Sequence, residues 1–182
     1  MATTSTRTPA KTSKPATSTK RATATRTKHD AATQLLMDDH AKVKKLFKQF
    51  EKLKSKGTAS AKAEIVNQAC SELTVHTQVE EQLFYPAVKA ALGKDADMID
   101  EAVVEHASCK ELIAQLEAMS PEDDLYDAKF TVLSEFIEHH VEEEETELFP
   151  KVRKIKALDL EDLGARMKAL KTSLTAAAGT RH

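Results

Sequence analysis

From residue 31 onward the apolar positions step along the chain with the period of an α-helix. Leu36, His40, Val43, Phe47 and Phe50 are spaced 4, 3, 4 and 3 residues apart, which puts them on one helical face. Gly57 is expected to end this helix and Thr58 or Ser60 to cap the next. Ile65, Ala69, Leu73, His76, Glu80 and Leu83 form a second face. Pro86, which lacks an N–H and crowds the preceding turn, ends or kinks that helix. Asp95 suits the N-cap of a third helix, whose face is Ala102, His106, Cys109, Ile113 and Leu116. Ser120-Pro121-Glu122-Asp123 reads as an N-cap, a proline at the first helical position and an acid at the third. It would open a fourth helix with Leu133, Phe136, Ile137, His140, Glu144 and Leu148 in step before Pro150. A fifth, shorter amphipathic segment aligns Leu163, Met167, Leu170 and Leu174.

The pattern occurs twice. His40 and its neighbours superimpose on His106 and its neighbours at an offset of 66, and the run from His76 to Pro86 superimposes on His140 to Pro150 at an offset of 64. Two helical hairpins joined by short connections make an all-α, antiparallel up-down-up-down four-helix bundle. The bundle is expected over residues 29–156, after a tail at 1–28 and before a C-terminal helix and frayed end at 157–182. Composition agrees: Trp is absent, aromatic residues are 4%, and Gly and Pro are few.

Charge separates the tail from the rest. Residues 1–28 hold seven Lys or Arg and no Asp or Glu, which leaves 20 basic against 29 acidic residues, a net of −9, in the remainder. The tail has no Leu, Ile, Val or aromatic residue to bury, so it is expected to be disordered. A solubilising segment, a non-specific contact with nucleic acid through phosphate neutralisation, and an organelle transit peptide all fit this composition. No apolar run reaches the roughly 20 residues that span a bilayer. Two cysteines, Cys70 and Cys109, are too few for a disulfide scaffold. A cytoplasmic protein with no membrane contact is expected.

The candidate chemistry lies in the stripes themselves. Each of the four helices places one histidine in its apolar face, and the second and fourth add a glutamate four residues on, one turn along the same face. One buried histidine is ordinary in a core, and the run His139 to Pro150 alone reads as a solvated acidic face. Two facing buried carboxylates are another matter, because desolvation and mutual repulsion would neutralise them without a cation. His40, His76, Glu80, His106, His140 and Glu144 therefore form a candidate metal centre with room for two ions about 3.5 Å apart. Each ion would take two imidazoles, with both carboxylates able to bridge. Such ligands suit iron ahead of manganese or zinc. Positions left open would admit oxo or hydroxo, and then O2, peroxide or NO. Helical phase makes His139, Glu142, Glu143 and Glu145 replaceable. Cys109 falls near the site, but Val43 holds its place in the first repeat, so it reads as a small core residue. Tyr85 is within reach of the metals, but beside Phe84 it reads first as a packing residue.

The spaced motif His…His-x-x-x-Glu…His…His-x-x-x-Glu resembles the hemerythrin-like HHE cation-binding domains over about residues 33–152. The resemblance implies a non-haem di-iron centre within the bundle. The oxygen-carrying hemerythrins have a His-x-x-x-His pair on the third helix and His-x-x-x-x-Asp on the fourth. Here Lys110 stands four residues after His106, Glu144 four after His140, and Glu145 where Asp would be. These departures point toward bacterial HHE proteins linked to iron handling, oxidative or nitrosative stress and repair of iron centres. Three functions fit these features: redox chemistry on O2, peroxide or NO, iron storage or delivery without catalysis, and a metal site tethered to DNA by the tail.

Overall fold

The computed structural model of the chain describes residues 1–2, 30–93 and 96–179. The basic segment at 3–28, the expected cap Asp95 and the end at 180–182 lie outside the described residues. The described part is all-helical: α1 (Ala31–Leu53), α2 (Ala59–Val79), α3 (Tyr85–Leu92), α4 (Asp97–Glu117), α5 (Tyr126–Glu143), α6 (Phe149–Val152) and α7 (Leu160–Gly179). No helix among them is long and apolar enough to cross a membrane.

Local chemistry sets most of the boundaries. Asp30 caps α1 by accepting from the Thr33 N–H at 2.9 Å, and Thr58 caps α2 by accepting from the Ala61 N–H at 3.2 Å. A Cβ on Gly57 would sit 2.7 Å from Leu53 Cβ, so the tight end of α1 requires glycine. The start of α5 differs from the sequence expectation. Ser120 Oγ accepts from the Glu122 N–H at 3.3 Å and Asp123 Oδ2 from the Ser120 N–H at 2.8 Å. That reciprocal cap closes only one turn. Leu125 then takes a left-handed φ of 71° and α5 begins at Tyr126.

Neither Pro86 nor Pro150 ends its helix. Each follows a π-helical turn, Glu80–Phe84 and Glu144–Leu148, in which the N–H of Tyr85 reaches Glu80 O and that of Phe149 reaches Glu144 O. The wider turn makes room for the proline ring, and the helix resumes as α3 or α6. The two π turns sit 64 residues apart, so the sequence repeat is also a repeat of backbone irregularity.

α1 packs on α2 and α5, and α4 on α2 and α5, in the expected antiparallel arrangement. Two apolar clusters fill the interior. One gathers Val43, Phe47, Phe50, Leu73, Cys109, Phe130, Leu133 and Ile137. The other gathers Leu36, Val79, Phe84, Ala102, Leu148, Phe149, Leu163 and Met167. Each bundle helix crosses from one cluster to the other at its histidine, so the polar residues form a thin layer between two dry slabs. Phe136, expected in the core, is 48% exposed; Phe130 and Val141 are buried in its place. The C-terminal helix α7 lies against α1 and α2 and is 20 residues long. Gly164 permits this approach, since a Cβ there would meet the Ala31–Ala32 backbone at 2.6 Å.

Candidate metal centre

All six residues picked out by helical phase meet in the polar layer. His40 comes from α1, His76 from α2, His106 from α4 and His140 from α5, while Glu80 and Glu144 open the two π turns. Each is at most 5% exposed. Ligand-type atoms of His40, His76, Glu80 and Glu144 lie within 4.8 Å of one another, as do those of Glu80, His106 and His140. The groups overlap at Glu80. Glu80 Oε2 is 3.2 Å from His76 Nε2 and 3.4 Å from His106 Nε2. Glu144 Oε2 is 3.3 Å from His40 Nε2 and 3.7 Å from His140 Nε2. Each carboxylate thus sits between one histidine of each repeat.

These close pairs are not hydrogen bonds in alignment. His40 Nε2, both oxygens of Glu80 and Glu144 Oε2 are buried and have no hydrogen-bond partner. Atoms at such spacings that aim past one another are what shared coordination produces. Ligands about 2.1 Å from one ion and at right angles lie about 3 Å apart. The donor set of imidazole and carboxylate accepts a borderline divalent ion, so the residues present fit a metal centre.

Without a cation the layer must arrange its own charge. Burial, then the Glu144 charge, pushes the Glu80 carboxyl well above its ordinary value. Burial also works to raise Glu144, but His40, His140 and His76 outweigh it and hold Glu144 down at about 2. Burial works to lower His40, yet Glu144 and Glu145 raise it. Burial and the neighbouring His140 push His106 down to about 4. Burial and the surrounding charges thus favour the neutral form of Glu80 and opposite charges on His40 and Glu144, 3.3 Å apart.

A second ring of carboxylates stands behind the histidines, and helical phase alone missed it. Nδ1 of His40 meets Glu145 Oε1 at 2.9 Å, that of His106 meets Glu81 Oε1 at 3.0 Å, and that of His140 meets Glu105 Oε2 at 2.7 Å. His76 Nδ1 lies 3.5 Å from Asp39 Oδ2, a looser electrostatic contact. An acceptor at Nδ1 fixes the proton there and turns the Nε2 lone pair toward the centre. Phase reads Glu145 as a solvated, replaceable acid, yet it contacts His40; Glu142 is exposed and Glu143 is 42% exposed. The signal was present in the repeat: Asp39 and Glu105 are 66 residues apart, and Glu81 and Glu145 are 64 apart. Lys110 holds Glu81 at 2.6 Å and Lys44 stands 3.7 Å from Glu145, again 66 residues apart. Lys171, from α7, pairs with Asp39. Glu81→Gln and Glu145→Gln are each expected to weaken metal affinity about 10- to 100-fold, as titration of the metal-free protein against a competing chelator would show.

Tyr85 also belongs to the site, not to packing alone. Its hydroxyl donates to Glu144 Oε1 at 2.9 Å and lies 3.3 Å from His106 Nε2. Burial and the neighbouring carboxylates push the phenol well above its ordinary value, so the proton stays on the oxygen. The π turn explains the miss: the residue it adds rotates Tyr85 inward by about 100° relative to an unbroken α-helix. The equivalent in the second repeat is Phe149, whose ring stacks on His40 at 5.9 Å with 9° between planes. The two halves of the centre therefore differ, with a hydroxyl beside His106 and His140 and a hydrocarbon ring beside His40.

Comparison with known proteins agrees with this geometry. The fold superimposes on the crystal structure of a hemerythrin HHE cation binding domain-containing protein from Mycobacterium kansasii, with a TM-score of 0.66 at 22% identity, over 82% of this chain and 90% of that one. A DNA nickase from Nostoc sp. is 28% identical over 137 residues, 75% of this chain. The chain spans 38% of the length of that relative. Residues 31–152 match the hemerythrin HHE cation binding domain. With two thirds of its length in that match and a buried His/Glu layer at its centre, the chain belongs to the hemerythrin HHE cation-binding family.

Proposed function

We propose that the chain is a non-haem di-iron protein that binds or reacts with O2, peroxide or NO in a reducing, cytoplasmic setting, with His40, His76, Glu80, His106, His140 and Glu144 as its ligands. The observation that carries this reading is a cavity of about 10 Å3 lined by all four histidines together with Val43, Leu73, Ile137 and Val141. It has room for about one water-sized group, and Asp39 and Thr77 complete its lining. Only a small ligand fits such a space. An iron pair would supply the electrons for reduction of a bound diatomic molecule or peroxide. His40 and His76 would hold one ion and His106 and His140 the other, Glu80 and Glu144 would span both, and Tyr85 would hold a proton at its hydroxyl oxygen, 2.9 Å from Glu144. Absorption spectra of the iron-loaded protein under nitrogen, then with air, NO or peroxide, test the reading. New visible bands or peroxide consumption are expected. An unchanged spectrum with two irons bound would leave iron storage, delivery or repair as the function.

A second reading concerns the tail and is favoured by its charge. Seven basic and no acidic residues over 1–28, joined to an acidic remainder, suit a tether to nucleic acid, and one relative is described as a DNA nickase. Affinity of the full chain for duplex DNA is expected to fall about 100-fold or more between 50 and 200 mM salt and to vanish in a chain starting at residue 29. Equal binding with and without the tail would exclude it.

A further inference from the structure

The face where α4 meets the end of α5 carries an excess of acid. Glu101, Glu105, Glu143 and Glu147 line a cavity of about 80 Å3 whose other walls include His140 and Glu144. Glu101 and Glu147 are exposed, whereas His140 and Glu144 are 3% exposed. The cavity thus links solvent-facing carboxylates to two of the six converging residues. Surface acid clusters commonly bind nothing. Two features set this one apart. Glu144, on its wall, has a buried oxygen with no hydrogen-bond partner. In addition, Glu105, His139 and Glu143 bring ligand-type atoms within 4.8 Å of one another, and Glu105 is the same carboxylate that holds His140 Nδ1.

We propose that this cavity is the route by which a divalent metal ion reaches the centre, docking first among Glu105, His139 and Glu143 and passing inward to His140 and Glu144. The proposal rests on the metal-binding reading above. Four carboxylates around a narrow opening concentrate cations, and focusing of this kind raises association rates by about 10- to 1,000-fold. The opposite approach is less favourable. The cavity between α1 and α7 sets Lys168 and Lys171 against Asp38, Asp39 and Glu161, with Lys171 paired to Asp39, so its charge is close to balanced. Lys151 opposes the ion at the acidic cavity: its Nζ lies 2.9 Å from Sδ of Met98, a lining residue. The route therefore predicts effects of opposite sign for its acids and its lysine.

The test loads metal-free full-length protein with Co2+ in a stopped-flow instrument, reads the rate from d–d absorption and the final content by elemental analysis. The triple variant Glu101→Gln, Glu143→Gln, Glu147→Gln should load about tenfold more slowly than wild type and reach the same final content. Lys151→Gln should load faster. A control triple at the far end of the bundle, Glu51→Gln, Glu64→Gln, Glu117→Gln, should stay within about twofold of wild type, because each lies 11 or 12 residues along its helix from the histidine of that helix, about 16–18 Å at 1.5 Å per residue and beyond a Debye length. An unchanged rate in the first triple, or equal slowing in both, overturns the route while leaving the metal centre intact. A wild-type chain that takes up no cobalt overturns the metal reading, and the route with it.

Discussion

Replacing Glu144 by Gln is expected to lower the bound metal sharply, from the two ions proposed per chain to fewer than one, whereas Glu143→Gln is expected to leave the final content unchanged. The two residues are neighbours in a run of acids, and composition does not tell them apart. Their environments do. Glu144 is 3% exposed, with one oxygen facing His40 and His140 and the other accepting a hydrogen bond from the Tyr85 hydroxyl. Glu143 is 42% exposed and stands 3.6 Å from the side chain of His139. A Gln amide keeps the shape of Glu144 but offers a neutral oxygen and an NH2 group that repels a cation. Because this carboxylate faces histidines from both halves, its loss should weaken binding at both of the proposed ion positions. Loss of an outer-shell partner costs 10- to 100-fold in affinity, so loss of a shared ligand should cost more than about 100-fold for each ion. Elemental analysis of the two variants after dialysis decides the matter. Equal losses from both would mean that the helical register of α5 is wrong.

The sequence reveals the centre where the backbone is regular and conceals it where it is not. His40 and His106 lie in the middle of α1 and α4, and His76 and His140 in the last α-helical turn of α2 and α5 ahead of the π turns, so a 3.6-residue period places all four correctly beside Leu36, Leu73, Cys109 and Ile137, and Glu80 and Glu144 follow one turn later. Past those two glutamates the period fails, because each π turn adds a residue. Leu83 is then only partly buried, while Phe84 and Tyr85 are 0% and 2% exposed. The outer acids elude a phase argument for a different reason. Glu81, Glu105 and Glu145 are partly exposed and read as solvated, and only the partner across the helix interface gives each a task. Comparing the two halves position by position would have flagged them. At Ser120 the local signal is present and its bonds form, but left-handed Leu125 separates that cap from α5. The contribution of α7 was legible as amphipathicity through Leu163 and Met167, but the reach of Lys171 to Asp39 depends on how α7 lies across α1.

Removing the metal is expected to turn Glu80 from an asset into a liability. In the metal-free fold the Glu80 carboxyl is 0% exposed, both oxygens lack partners, and burial with the Glu144 charge raises its pKa well above 4.5. A raised carboxyl stabilises the fold in full below 4.5, the value it resumes in the unfolded chain. That contribution declines as the pH rises and is gone once the pH passes the native value. His40, also raised, is lost in the same direction above 6.5. His106 acts oppositely: held down to about 4, it destabilises the fold as the pH falls from 6.5 toward 4. The chelated protein should therefore be most stable near pH 6.5 and weaken above it. One proton corresponds to about 1.4 kcal/mol per pH unit, or roughly 3–5 °C in Tm for a domain of this size. Bound metal reverses the upper limb, since deprotonated ligands bind it more tightly. Glu80→Gln separates the two effects. It should flatten part of the alkaline decline of the chelated protein, which then melts above chelated wild type at pH 8 to 9, while the gain in Tm on adding metal largely disappears. Differential scanning fluorimetry of both proteins, with metal and with chelator across pH 5 to 9, measures both. If chelated Glu80→Gln instead melts below chelated wild type at alkaline pH, Glu80 is held there by protein contacts and not by a missing cation.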